Sequence, residues 1–243
     1  MDWERNYRGD SGTIDVTSGR SEALAQGFMQ KVYMWMTMGL AATAAVSYFT
    51  TTSRTMQEFL FLKHGMIPFF ILVAAEVGIV MFLSFKVRTM NPATASMLFF
   101  IYSALNGITI APILMMYTGA SVATTFFVTA GMFGGMSAYG AVTKRDLTGF
   151  GSFLYMGLWG LIIAMLVNMF MRNEMASYVI SGMAIIIFTG LAAYDTHKIR
   201  AIGAESGIGD DMRDNLAVLG ALTLYLDFIN LFIHLIKFMG KRR

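Results

Sequence analysis

Seven stretches of nearly unbroken apolar residues, joined by polar connections that are short apart from two of roughly 15 to 20 residues, dominate the chain. They run Phe28 to Thr50, Ile67 to Phe85, Ala93 to Tyr117, Ala120 to Val142, Phe150 to Met171, Ala176 to Tyr194 and Leu216 to Phe238. Each is about 19 to 25 residues long with few charges, the length a helix needs to cross a hydrocarbon core of about 30 Å. The runs are solid rather than alternating, which predicts helices and argues against a porin-type barrel. The fold class this predicts is all-α: a polytopic membrane protein with seven transmembrane helices in one domain, 28–243, behind a polar N-terminal tail, 1–27.

Composition agrees. Of 243 residues 56% are hydrophobic and only 14% charged, with mean hydropathy +0.59, too apolar for a soluble globule of this length. The tail carries Asp2, Glu4, Asp10, Asp15 and Glu22 among its bases, with no short apolar core or small-residue cleavage site. It is therefore expected to be retained, not removed as a signal peptide. The absence of cysteine excludes disulfides, thiolate metal sites and cysteine nucleophiles. A net charge of +3, with its bases beside membrane ends, reads as a topology signal rather than a nucleic-acid surface.

Counting those bases orients the chain. With the tail in the cytoplasm, that side receives Arg5, Arg8, Arg20, Lys86, Arg88, Lys144, Arg145, Lys198, Arg200 and Arg213, against Arg54, Lys63 and Arg172 opposite. This places the N-terminus inside. The terminal "GKRR" runs the other way, because a seventh full crossing carries Lys241, Arg242 and Arg243 outside. A re-entrant last segment would return them to the cytoplasm. Seven crossings is the reading adopted, since Leu216 to Phe238 is long enough to span.

Polar residues inside the runs narrow the picture, because ionisable groups at membrane depth are costly and face a protein interior or a watery cavity. Glu76 lies midway along the second run. Asp227, Asn230 and His234 stand at i, i+3 and i+7 on one face of the last helix. Such a face cannot be turned to lipid, so the last helix is expected at the centre, surrounded by the other six. A buried network that only fixes packing is the plainer reading of the same residues. Asp195, in "LAAYDTHKIR", is either an interfacial charge paired with Lys198 or Arg200, or part of a functional pair. Gly131 and Gly135, four apart, read as a helix-packing face, and the 22 methionines as pliable packing.

Several chemistries lack their motifs. Every lysine lies at or near a helix end, which removes a retinal-type pigment, and no HExxH or GxSxG string occurs. Tyr194-Asp195 and the "GIGD" of Gly207 to Asp210 resemble the paired motifs of intramembrane aspartyl proteases. That "GIGD" lies in a polar segment outside the apolar run, and no Pro-Ala-Leu motif follows. No enzyme is predicted.

The stretches "NGITIAPIL" (Asn106 to Leu114), "TGASVATTFFVTAGMFG" with Thr129 and Ala130, "AAYDTHKIR" and "ALTLYLDFINLFIHL" together resemble the transmembrane Bax-inhibitor-motif family. The resemblance covers nearly all of the chain after the tail. It implies seven helices with the last surrounded by six, no cofactor, and a pH-sensitive cation leak, chiefly for calcium. It implies that Asp195 and Asp227 form a hydrogen-bonded pair with Glu76 nearby, and that a base after the second helix, Arg88 or alternatively Lys86, engages Asp195. It further implies a bacterial cytoplasmic (inner) membrane location and, as a rival role, regulation of a membrane-bound ATP-dependent protease. The chemistry of such a pair is coherent: two carboxyls in contact at low dielectric share a proton and titrate together. Once deprotonated they repel, and they offer oxygen ligands to a hard cation such as calcium.

Overall fold

The computed structural model describes residues 11–58 and 67–243. Among them the order is α1 Ser11–Thr52, α2 Arg54–Gln57, α3 Ile67–Lys86, α4 Pro92–Met115, α5 Gly119–Val142, α6 Thr148–Met171, α7 Glu174–Ala204 and α8 Asp210–Met239. No strand occurs among the described residues beyond an isolated backbone bridge between Tyr117 and Arg242. Residues 1–10 and 59–66, with Arg5, Arg8 and Lys63 of the charge balance, lie outside the described residues.

Local chemistry sets the helix ends. Asn91 accepts from the Ala93 amide with Pro92 in the first turn, Thr118 accepts from Ser121 N, and Asn173 accepts from Ala176 N. Each satisfies an amide that the first turn leaves unpaired. Between α7 and α8, Gly207 takes a positive φ of 98°, which glycine adopts without a Cβ penalty. The Arg213 guanidinium closes the same corner by donating to Gly203 O and Glu205 O at 3.0 Å each.

Two boundaries differ from the hydropathy pattern. From Ser11 the polar tail is helical and continuous with the first apolar run. Similarly, α7 runs ten residues past Tyr194, so most of the polar segment between the two aspartates is helix and only a short turn, 205–209, separates α7 from α8. Hydropathy marks where hydrocarbon ends; the helix stops where capping and glycine stop it.

Six of the described helices are long and apolar enough to cross a membrane: α1 (from Gly19), α3, α4, α6, α7 and α8. With 24 residues, α5 equals α4 and α6 in length but is diluted by glycine, serine and threonine. In the packing, α8 lies against α1, α4, α5 and α7, while α3 touches mainly α4. One end of α8 meets the α3–α4 turn, where Asn215 Nδ2 donates to Met90 O at 2.7 Å. Its other end meets the α4–α5 turn, where Thr118 N donates to Lys241 O and Arg243 N to Met116 O. It therefore runs the full length of α4.

The expected glycine packing face is elsewhere. At Gly131 and Gly135 an added Cβ meets nothing within 4 Å, because the buried face of α5 is Thr125, Thr129, Phe133, Ser137 and Gly140. Gly140 is the glycine on that face, with the Ala193 carbonyl of α7 directly against it, and Gly107 of α4 sits 2.7 Å (from a would-be Cβ) to Thr43 O of α1. The i, i+4 spacing alone does not say which way a face points.

Candidate functional site

Asp195 and Asp227 are brought together by antiparallel packing of α7 on α8. Ser181, Phe188 and Asp195 recur every seven residues along α7, so they share one face. Along α8, Asp227 and His234 are also seven apart. The two intervals match in opposite directions: Asp195 meets Asp227, Phe188 stacks on His234 with planes 17° apart, and Ser181 Oγ lies 3.4 Å from His234 Nδ1. The two carboxyl groups are within hydrogen-bonding reach of each other. Both residues are buried, Asp195 to 3% and Asp227 to 5% exposure.

The third member is one that the sequence reading missed. Tyr155 of α6 donates its hydroxyl to Asp195 Oδ1 at 3.1 Å and packs edge-on to Tyr194. Its position in an apolar run looked like ordinary aromatic packing; only the close approach of α6 to α7, where Gly151 lies against the Tyr194 ring, aims its hydroxyl inward. Asp227 Oδ2 is buried without a donor among the described residues. Two ionised carboxylates cannot hydrogen-bond each other, since both only accept. A single proton on the pair would supply the missing donor.

The remaining predicted residues are distributed around this pair. Asn230 is half-buried and donates back to Leu226 O at 2.8 Å, while His234 is buried two turns further on. Lys198, one turn along α7, is the base whose charge reaches Asp195, though no ion pair between them forms. Arg88 is not brought to Asp195: it is exposed in the α3–α4 turn, lining a depression with Asp210, Asp211 and Asn215 at the start of α8. Lys86 ends α3 on the same side.

Glu76 belongs to a second cluster. Thr109 Oγ1 donates to it at 2.8 Å, Tyr225 OH donates to Asn106 Oδ1 at 3.0 Å, and Tyr225 also meets Thr43 Oγ1 at 2.6 Å. Tyr225 and Asp227 are two positions apart on α8, so they face nearly opposite directions. The carboxyl pair and the Glu76 cluster therefore lie on different sides of the same helix. Among the described residues no group of three or more His, Cys, Asp or Glu gathers as a metal cage. Two carboxylates alone fall short of the six to eight oxygens a resident calcium takes.

Comparison with known proteins agrees with the motifs. The family model described as "Inhibitor of apoptosis-promoting Bax1" matches residues 25–243. The chain is 44% identical to the inner membrane protein YbhL of Escherichia coli over 220 residues, 90% of this chain and 93% of that one. It is 41% identical to an uncharacterized protein of Borreliella burgdorferi, covering 95% and 99% of the two chains. A Rickettsia prowazekii protein, RP147, is 39% identical over 94% and 96%.

Proposed function

The chain belongs to the Bax inhibitor family, and from that membership and the buried carboxyl pair we propose that it is a pH-sensitive calcium leak of the membrane. The observation that carries the reading is the contact of Asp195 with Asp227 across α7 and α8, with Tyr155 donating to the same group. With a shared proton, the pair ties α7 to α8. When the proton leaves, like charges repel at low dielectric, the contact loosens, and carboxylate oxygens become available to a hard divalent cation. The step uses the two aspartates and Tyr155; it makes no covalent bond and needs no cofactor.

The architecture proposed with it has seven crossings, with α8 in the middle. Support comes from α8 running from the α3–α4 turn to the α4–α5 turn with most of its residues buried, and from the length of α5. The bases Lys86, Arg88 and Arg213 gather where α8 begins, which supports a bacterial inner-membrane protein with that end and the N-terminus in the cytoplasm.

The test is calcium flux into vesicles holding the purified protein alone, across pH 6 to 8. A leak passes calcium unaided and responds to pH. Protein silent in vesicles, but altering the activity of an added membrane-bound ATP-dependent protease, would overturn this reading in favour of a regulatory one.

A further inference from the structure

Besides the carboxyl pair, the bundle contains a crevice of about 730 Å³ between the second half of α1 and the first half of α5. α1 packs on α4, α7 and α8 but not extensively on α5, so the gap stays open on the side. Its floor is Ile110 of α4 with Phe228, Ile229 and Phe232 of α8, all buried. Its rim is aromatic and exposed, with Tyr48 at 71% and Phe127 at 73%.

Hydroxyls along the α1 wall do not make it polar. Ser47 donates to Ala44 O and Thr51 and Thr52 donate to Tyr48 O, while Thr43 Oγ1 is turned into the bundle among Gly39 O, Ser103 O and Tyr225 OH. Ser47, Thr51 and Thr52 each turn the hydroxyl hydrogen back into their own helix, so the wall presents mainly methyl and methylene groups and no free hydroxyl donor. From Leu40 to Thr52 the wall is roughly 18 Å long at 1.5 Å per residue. That matches one leaflet, about half of a 30 Å hydrocarbon core.

At the outer end stands Arg243. Its backbone is held there, because Arg243 N donates to Met116 O at 3.0 Å and Lys241 N to Ser121 Oγ at 2.9 Å. A leaflet-deep apolar slot open to the side, ending at an arginine whose backbone is held in place, suits the shape and charge of one kind of ligand. We propose that this crevice binds a phospholipid of the surrounding bilayer, with an acyl chain against Phe228 and Ile229 and an anionic headgroup at Arg243. The basic ending that opposed the charge-count topology then has a task at the outer surface: it holds a phosphate.

The test uses the full chain in vesicles of equal parts phosphatidylglycerol and phosphatidylcholine, with a trace of either lipid carrying a photoactivatable group midway along one chain. Adducts are mapped by mass spectrometry. Adducts from the phosphatidylglycerol probe should concentrate on crevice residues such as Ala44, Ser47 and Ala123, in about fivefold excess over the phosphatidylcholine probe. Ala123→Trp, at an exposed wall position, should remove crevice adducts while leaving those on the outer face of α6. Arg243→Gln should equalise the two probes without removing crevice labelling. Adducts spread evenly over the outer helix faces, or equal yields from both probes in the parent, would overturn the proposal. Should Ala123→Trp fail to fold, the parent map and the Arg243→Gln ratio still decide it.

Discussion

Replacing Asp227 with Asn tests the proposed switch most directly. The change keeps side-chain shape but fixes a hydrogen-bond donor where the acid offers one only when protonated. Asp227 is buried, its Oδ2 has no donor among the described residues, and its neighbour is Asp195. The amide introduced by Asp227→Asn can therefore donate to the Asp195 carboxylate at any pH and hold α7 on α8. A hydrogen bond to a charged group contributes about 1.5 to 3 kcal/mol, which biases the tied state over the loosened one by about 10- to 100-fold. In calcium-dye vesicles the parent's flux should rise between about pH 6 and pH 8, the range a coupled buried carboxyl pair can reach. Flux through Asp227→Asn should stay near the parent's acid level and, at pH 8, lie about 10- to 100-fold below the parent's. Asp195→Asn should also lose the pH response. Because the two groups act as a unit, the double variant should differ little from the worse single one. An unchanged flux-versus-pH curve in both single variants would refute the carboxyl-pair mechanism and leave Asp195 and Asp227 as packing residues.

Other outcomes follow from the same geometry. Tyr155→Phe removes the 3.1 Å donor to Asp195, a group that favours the ionised, loosened state, so flux at pH 7 should drop about five- to tenfold; an unaltered rate would detach Tyr155 from the gate. Gly140→Leu forces a side chain into the Ala193 carbonyl of α7 and should destabilise by at least about 1 to 3 kcal/mol, read as a lower thermal midpoint in detergent, whereas Gly135→Leu should leave it unchanged. Hydrogen bonding from the Thr148 side chain, together with the Thr148 N bond at 2.8 Å, holds the Asp146 carboxyl below the ordinary aspartate value. Its stabilisation is therefore present above the ordinary value and lost as pH falls through the lowered one. Asp146→Asn should remove this small acid sensitivity below about pH 4, seen in melting curves with and without the change. Reporter fusions should place the N-terminus inside and Arg243 outside; a cytoplasmic Arg243 would restore the re-entrant reading.

Hydrophobicity alone was enough to determine the solvent, the helical class and the rough position of each long helix, because a lipid core demands long apolar helices with internally satisfied backbones. It was also enough to single out Asp227, Asn230, His234 and Glu76, since charge and polarity at membrane depth stand out against apolar neighbours. Partnership was another matter. Asp195 could be matched to Asp227 only through family resemblance, because the two stand 32 positions apart and it is the matching seven-residue intervals on two antiparallel helices that pair them. Tyr155 carried no signal, since a tyrosine in an apolar run looks the same whether its hydroxyl meets a carboxylate or the membrane surface. Glu76 and Arg88 were expected near the pair, yet the rotation of α8 sets Glu76 with Tyr225 on the far side and the α3–α4 turn holds Arg88 by Asp210 and Asp211. Likewise, Gly131 and Gly135 had the right spacing on the wrong face, while Gly140 took the close contact. Period and composition are properties of one helix, and so are written in the sequence; the rotation of one helix against another is decided by packing among all of them, and only the folded bundle settles it.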